Sequence, residues 1–129
     1  MLKVLDGFKV VKHMKYSNQP ILFLSCIIEY GVGVITYIED VWVVPKNYCG
    51  PIAVFNNYND AVCFAQNMQC MSDHPLVVHK CDYVKSKEDK LWHLHMCGGN
   101  LDRIYKLGPV LPHGTVFADR LKLGREMFR

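Results

Sequence analysis

No two cysteines of this 129-residue chain stand in a CxxC pair, no apolar run reaches membrane-spanning length, and neither sign of charge is in large excess. Each absence removes a class of protein. The longest apolar run, Ile21 to Ile28, is broken by Ser25 and falls far short of the ~20 residues a spanning helix needs. Met1 to Asp6 carry Lys3 and Asp6, with no apolar core or small-residue cleavage site that would read as a secretory signal. A cytoplasmic location is therefore expected, with no membrane partner. In that setting Cys26, Cys49, Cys63, Cys70, Cys81 and Cys97 read as free thiols, several of them among core-type residues, where Cys behaves as a small hydrophobe.

Phosphate cradles are missing as well. Gly98-Gly99-Asn100 precedes no Lys-Ser/Thr pair, and Gly31-Val32-Gly33 lacks the third glycine of a dinucleotide loop, so both read as turns. The formal charge of +3 is modest but uneven. Met1 to Asn100 balances nine basic against nine acidic residues, whereas from Leu101 onward Arg103, Lys106, Arg120, Lys122, Arg125 and Arg129 face only Asp102, Asp119 and Glu126. Such an edge suits phosphates or an acidic protein surface, and is weaker than the footprint usual in nucleic-acid-binding domains.

What is present is half hydrophobic by residue, enough for one compact domain over residues 1–129. Phe8 to Met14 reads as a strand, and Ser17, Asn18 and Pro20 supply a turn over Tyr16 to Pro20. Ile21 to Tyr30 is apolar on both pleat faces and reads as a central strand covered on both sides. Beyond Gly31 and Gly33, Val34 to Ile38 is a third strand, and Glu39-Asp40 bends the chain into Val41 to Val44. Pro45 then stops pairing, because it has no amide proton, and Lys46 to Gly50 is a loop.

The stretch Gly50 to Val84 is the most legible. Ile52 to Phe55 is a short strand, Asn56 and Asn57 are suited to accept bonds from the orphan amides of a helix start, and Asp60 lies at the favourable end of the helix dipole. Ala61, Phe64, Ala65 and Met68 follow with helical spacing, giving one apolar stripe to lay on a sheet. After a break at Ser72 to Pro75, Leu76 to Val84 resumes a strand whose polar groups suggest an outer face, and Leu91 to Met96 reads as its hairpin partner across a charged turn. Gly108-Pro109 and Pro112-His113-Gly114 punctuate the rest. Thr115 to Leu123 alternates as a strand, although Phe117, Leu121 and Gly124 also keep approximate helical spacing; the strand is preferred. The sum is an α+β domain: a mostly antiparallel twisted sheet of about six to seven strands with one main helix packed on it.

Two constellations carry chemistry. His93, His95 and Cys97 are spaced by two, so a straight strand projects all three toward one face, where imidazole and thiolate suit Zn²⁺ and His79, Cys81 or His113 could supply a fourth ligand. With Asp82 or Glu88 as base beside a metal-bound water, this is a zinc-dependent hydrolase reading. An exposed His face opposite Trp92, Leu94 and Met96 explains the same pattern with no metal. A Cys–His nucleophile is a rarer alternative, with Cys49, Cys81 or Cys97 and His79 or His113. The other constellation is a pocket between the Pro112 to Thr115 loop and the basic C-terminal segment, formed by His113, Thr115, Arg120 and Lys122, and suited to a small anionic ligand or an acidic protein surface. Trp42, Tyr48, Tyr58, Trp92 and Tyr105 offer apolar area with a polar edge for such contacts.

Gly50-Pro51-Ile52-Ala53-Val54-Phe55, the helix with Ala61, Phe64 and Ala65, the strand Val78 to Tyr83, Trp92 and the ending Pro112 to Asp119 resemble small uncharacterised α+β domains of phages and prokaryotic genomes. That resemblance implies no known reaction. By looser analogy it suggests a reduced ADP-ribosyltransferase-like architecture, with His13, Tyr37 and Glu126 in a possible order but without an ExE or QxE motif. The expected function is a protein- or small-ligand-binding module without catalysis and without a cofactor, with an exposed strand edge able to support a homodimer. The zinc hydrolase and a degenerate transferase-like enzyme are the alternatives.

Overall fold

The computed structural model describes residues 2–14, 22–25, 35–45, 51–70, 72, 74–88, 92–97, 100–105 and 112–128, with residues 14, 22–25, 92–97, 100–105 and 128 described through their backbone. The turn Tyr16 to Pro20, the glycines Gly31 and Gly33, the loop Lys46 to Gly50, the glycines Gly98 and Gly99, the turn Gly108-Pro109, and Cys26 and Cys49 lie outside the described residues.

Every described strand pairing is antiparallel, and one helix accompanies the strands, so the chain is α+β. The strands are β1 (Val4–Met14), β2 (Leu22–Ser25), β3 (Thr36–Tyr37), β4 (Trp42–Val43), β5 (Ile52–Phe55), β6 (Leu76–Lys85), β7 (Trp92–Cys97), β8 (Asn100–Tyr105) and β9 (Thr115–Phe128); the helix α1 is Tyr58–Gln69. Five strands of the principal sheet have four residues or more, and the two-residue β3 and β4 extend it at its ends. β7 and β8 form a separate hairpin. The fold departs from a single sheet of six to seven strands in that only five strands of the principal sheet are of ordinary length and β7 pairs β8, rather than β6, in a hairpin outside it. The partner strand β8 has no apolar run to announce it.

The long strands organise the sheet. β6 pairs β1 along one edge and β9 along the other. β5 then pairs β9 over Ile52 to Phe55 and meets β1 at Phe8↔Phe55, closing a ring of β1, β6, β9 and β5. Central position thus falls to β6, and β2 lies between β1 and β3, one strand from the end of the sheet. The outer placement expected for Leu76 to Val84 is corrected: its odd residues Val77, His79, Cys81 and Tyr83 are all buried.

Inside the curve sit Val11, Tyr37, Ile52, Val54, Cys81, Tyr83, Ala118, Leu121 and Leu123. A second apolar layer lies outside it, where Ala61 and Ala65 let α1 approach Val10, Phe55, Leu76 and Val78. Phe64 completes the stripe with its ring 5.3 Å from that of Phe55, and Tyr58 meets Phe8 edge-on at 5.6 Å. Asn57 caps the helix, accepting from the Asp60 amide at 2.9 Å.

β9 follows β6 only because it carries extra residues. His79↔Glu126 and Cys81↔Leu123 set two steps on β6 against three on β9, a bulge around Gly124. Glu126 therefore belongs to a paired strand. The Glu39-Asp40 bend is also present: Asp40 adopts φ 63°, a conformation Asp tolerates better than most side chains, and its amide donates to the Leu123 carbonyl at 2.7 Å. No helix among the described residues is long and apolar enough to cross a membrane.

Candidate functional site

The four residues expected to share one ligand pocket fall into two places. His113 and Thr115 belong to the turn that delivers the chain into β9 beside the start of α1. The Thr115 hydroxyl donates to the Pro112 carbonyl at 2.5 Å, and the Asn56 amide donates to the Gly114 carbonyl at 2.9 Å. His113 Nδ1 lies 2.9 Å from Asp60 Oδ2, which also accepts from Asn57 Nδ2 at 2.6 Å. This cluster ties the helix N-terminus to β9. Gly114 makes the approach possible: its φ is 83°, and a Cβ there would run into the Asp60 carboxylate.

The bond from Asn57, followed by that from His113, holds the Asp60 carboxyl below its ordinary 3.8. A depressed carboxylate stabilises the fold above its unfolded value and loses that contribution as pH falls through its folded value. Acid titration is therefore expected to destabilise the wild type more than Asp60→Asn in the window below pH 3.8, measured by urea unfolding at stepped pH. In the same assay at neutral pH, Asn57→Ala should cost about 1 kcal/mol through the lost cap.

Arg120 and Lys122 lie five and seven residues further along β9, so at ~3.3 Å per residue Arg120 is roughly 17 Å from Thr115. What meets them is Trp42. The register Trp42↔Lys122 brings β4 against β9, with the Arg120 guanidinium carbon 5.2 Å and the Lys122 ammonium 5.5 Å from the indole centroid. The neighbouring Leu121 and Leu123 point into the core, so alternation sets Arg120 and Lys122 on the outer surface. Trp42 is 38% exposed, and Ile38, Val41 and Val44 beside it are more so. Lys122 also reaches Asp82 at 3.8 Å.

The interior holds polar groups that the sequence pattern placed elsewhere. Lys9 is buried and donates to the Ala53 carbonyl at 2.7 Å, with its ammonium 5.9 Å from the centre of the Tyr37 ring. His79, opposite Lys9 in the ladder, is fully buried; its Nδ1 lies 2.8 Å from the Gly124 carbonyl, which can only accept, so Nδ1 donates. Glu39 Oε1 is 3.8 Å from the same nitrogen. The bulge thus turns a carbonyl toward a histidine that would otherwise resist burial.

Cys81 shares this interior face, and burial pushes its thiol up to about 12 despite the nearby Lys9 charge. At neutral pH it is protonated, which removes it as a nucleophile paired with His79. Alkylation of the native chain with iodoacetamide is expected to label exposed Cys63 and Cys70 and to spare Cys81 until denaturant is added, as read by peptide mass spectrometry. Native-state labelling of Cys81 at a rate comparable to Cys63 would contradict this.

His13 and Tyr37 are buried, and Glu126 lies on β9 opposite His79. His93, His95 and Cys97 occupy alternate positions of β7, opposite Ile104, Asp102 and Asn100, and their side chains lie outside the described residues. Among the described residues no three His, Cys, Asp or Glu side chains gather as a metal site.

Compared with protein-family models, curated proteins and solved structures, the chain matches none. The reading of its function therefore rests on its own surfaces.

Proposed function

We propose that this chain is a binding module without catalysis, contacting a protein segment or small anionic ligand through the surface built by β4 and β9. The observation that carries the reading is the half-exposed Trp42 lying against Arg120 and Lys122 on an apolar strand edge. Trp and Arg are the side chains most often found to dominate binding energy, since each combines a large flat contact area with a polar edge. Arg120 and Lys122 keep the ligand-binding role expected for them, while His113 and Thr115 act in joining α1 to β9.

Selection of peptides from a random display library on the full chain tests this. Selected binders are expected to lose about 30-fold in affinity for Trp42→Ala, the equivalent of a 2 kcal/mol hot spot. The melting temperature of that variant should fall by no more than a few degrees, because the indole packs on surface side chains rather than in the core. Binders indifferent to Trp42→Ala would overturn the reading. Zinc quantified on the purified chain is the companion measurement: stoichiometric zinc that is lost on replacing His93, His95 and Cys97 would favour the metal site instead.

A further inference from the structure

Among the described residues, α1 covers only part of the outer surface of the sheet. α1 lies over Phe8, Val10, Leu76 and Val78, at one end of the β1–β6 pair. Toward the other end the registers define two rows that run across four strands. One is Trp42, Lys122, Asp82 and Asp6. The other is Arg120, Val84 and Val4, and extending the β4 register by one residue sets Val44 opposite Arg120. Val44 is 62% exposed on one side of Arg120, buried Val84 stands on the other, and Val4, 50% exposed, lies beyond Val84, so apolar side chains neighbour Arg120 along this row.

The rows carry two cations, Arg120 and Lys122, and two carboxylates, Asp82 and Asp6, so the unmatched positive charge is local to Arg120. Lys122 has Asp82 at 3.8 Å. Arg120 has no carboxylate within 4 Å among the described residues, and its buried Nε meets no acceptor there. Its described contact is the indole face, which orients the guanidinium without satisfying its donors. A carboxylate arriving from outside would meet the terminal amino groups of the guanidinium, since Nε is covered, in a bond strengthened by the apolar side chains around it.

The edge of β4 supplies the second element. Among the described residues β4 pairs β9 and no other strand. In an antiparallel ladder successive residues alternate in direction, so either Trp42 or Val43 turns both its backbone groups away from β9. Pro45 then ends the available donors, limiting any added strand to a short one. A small acid would use Arg120 and leave Ile38, Val41 and Val44 in water; an extended chain covers them, and its period of two presents acidic and apolar side chains alternately.

Resting on the binding reading above, we infer that the partner is a short acidic segment of another protein, laid in extended form along the edge of β4 that no described strand pairs, with its carboxylates against Arg120 and Lys122.

The test is a backbone and indole NMR titration of the full chain with three synthetic twelve-residue peptides alternating Val with Glu, Gln or Lys. The Glu peptide is expected to shift the amides of residues 41–44 and 119–123 and the Trp42 indole N–H, and to bind at least 10-fold more weakly to Arg120→Gln. Lys122→Gln should cost less, about 3-fold, because Asp82 already engages that ammonium. Equal binding of the Gln or Lys peptide at the same amides would overturn the acidic assignment while leaving the binding module standing. So would self-association through β4 without peptide, or the same shifts produced by a single-stranded oligonucleotide. Silence toward all three peptides, with display-selected ligands still dependent on Trp42, would overturn only the inference; loss of both would overturn the two together.

Discussion

Gly7→Val is expected to lower the unfolding free energy by about 3 kcal/mol, more than any surface change of similar size. Gly7 lies on β1 next to Phe8, whose pairing with Phe55 closes the ring. A Cβ at position 7 would come within 2.8 Å of a Tyr83 ring carbon, 2.9 Å of the Phe55 carbonyl oxygen and 2.9 Å of a Val54 methyl. Two of these could rotate aside. The carbonyl cannot, because it belongs to the strand that completes the closure. Valine suits a strand better than glycine by roughly 0.5–1 kcal/mol, so intrinsic preference opposes the collision and loses to it. Urea unfolding of Gly7→Ala and Gly7→Val should show a graded loss, and an alanine variant as stable as the wild type would show that the closure is looser than described.

Leu121→Ala is the second large effect, about 2–5 kcal/mol. The side chain is fully buried and its backbone stands between Val43 of β4 and Tyr83 of β6, so it packs where β9 is flanked on both edges. Removing three carbons there leaves a cavity that two rigid neighbouring strands cannot fill by moving. A fall in melting temperature of roughly 10 °C follows for a domain of this size. Lys122→Ala, one residue further and on the opposite face, should change stability by less than about 0.5 kcal/mol. A pair of equal losses would mean that β9 does not alternate between core and surface as its burial indicates.

The contrast between these neighbours explains what could be read in advance. Local patterns are carried by residues close in sequence: Asn57 with Asp60, and Ala61 with Phe64, Ala65 and Met68, made α1 legible to within a residue or two. The same holds for Ile52 to Phe55 and for the strand beginning at Thr115. β6 was misplaced because His79, Lys80 and Asp82 look like solvent-facing residues, and the Gly124 carbonyl that receives His79 is supplied by a bulge on β9. No window around His79 contains that information. The grouping of the candidate site residues depends on the same kind of information. Arg120 and Lys122 were recognisable as cations and Trp42 as a contact aromatic, but their meeting depends on the β4–β9 register, a long-range pairing. His113 and Thr115 were grouped with the cations by proximity in sequence, and an extended strand carries residues apart quickly. Val4 and Val44, which complete the exposed row, gave no signal beyond being apolar in strands that also bury valines.

The placement of β6 between β1 and β9 also governs how the protein can be made. A ribosome delivers β1, then β5 and β6, and only later β9, so the ring cannot shut before β9 has emerged. In that interval β1 and β6 can zip together, but the open edge of β6 and the inward side chains of Val77, Cys81 and Tyr83 face water. The strand of the ring that is made after the others is thus the one that covers them, and a pause before Thr115 leaves a half-built sheet whose bare edge can join that of another nascent chain.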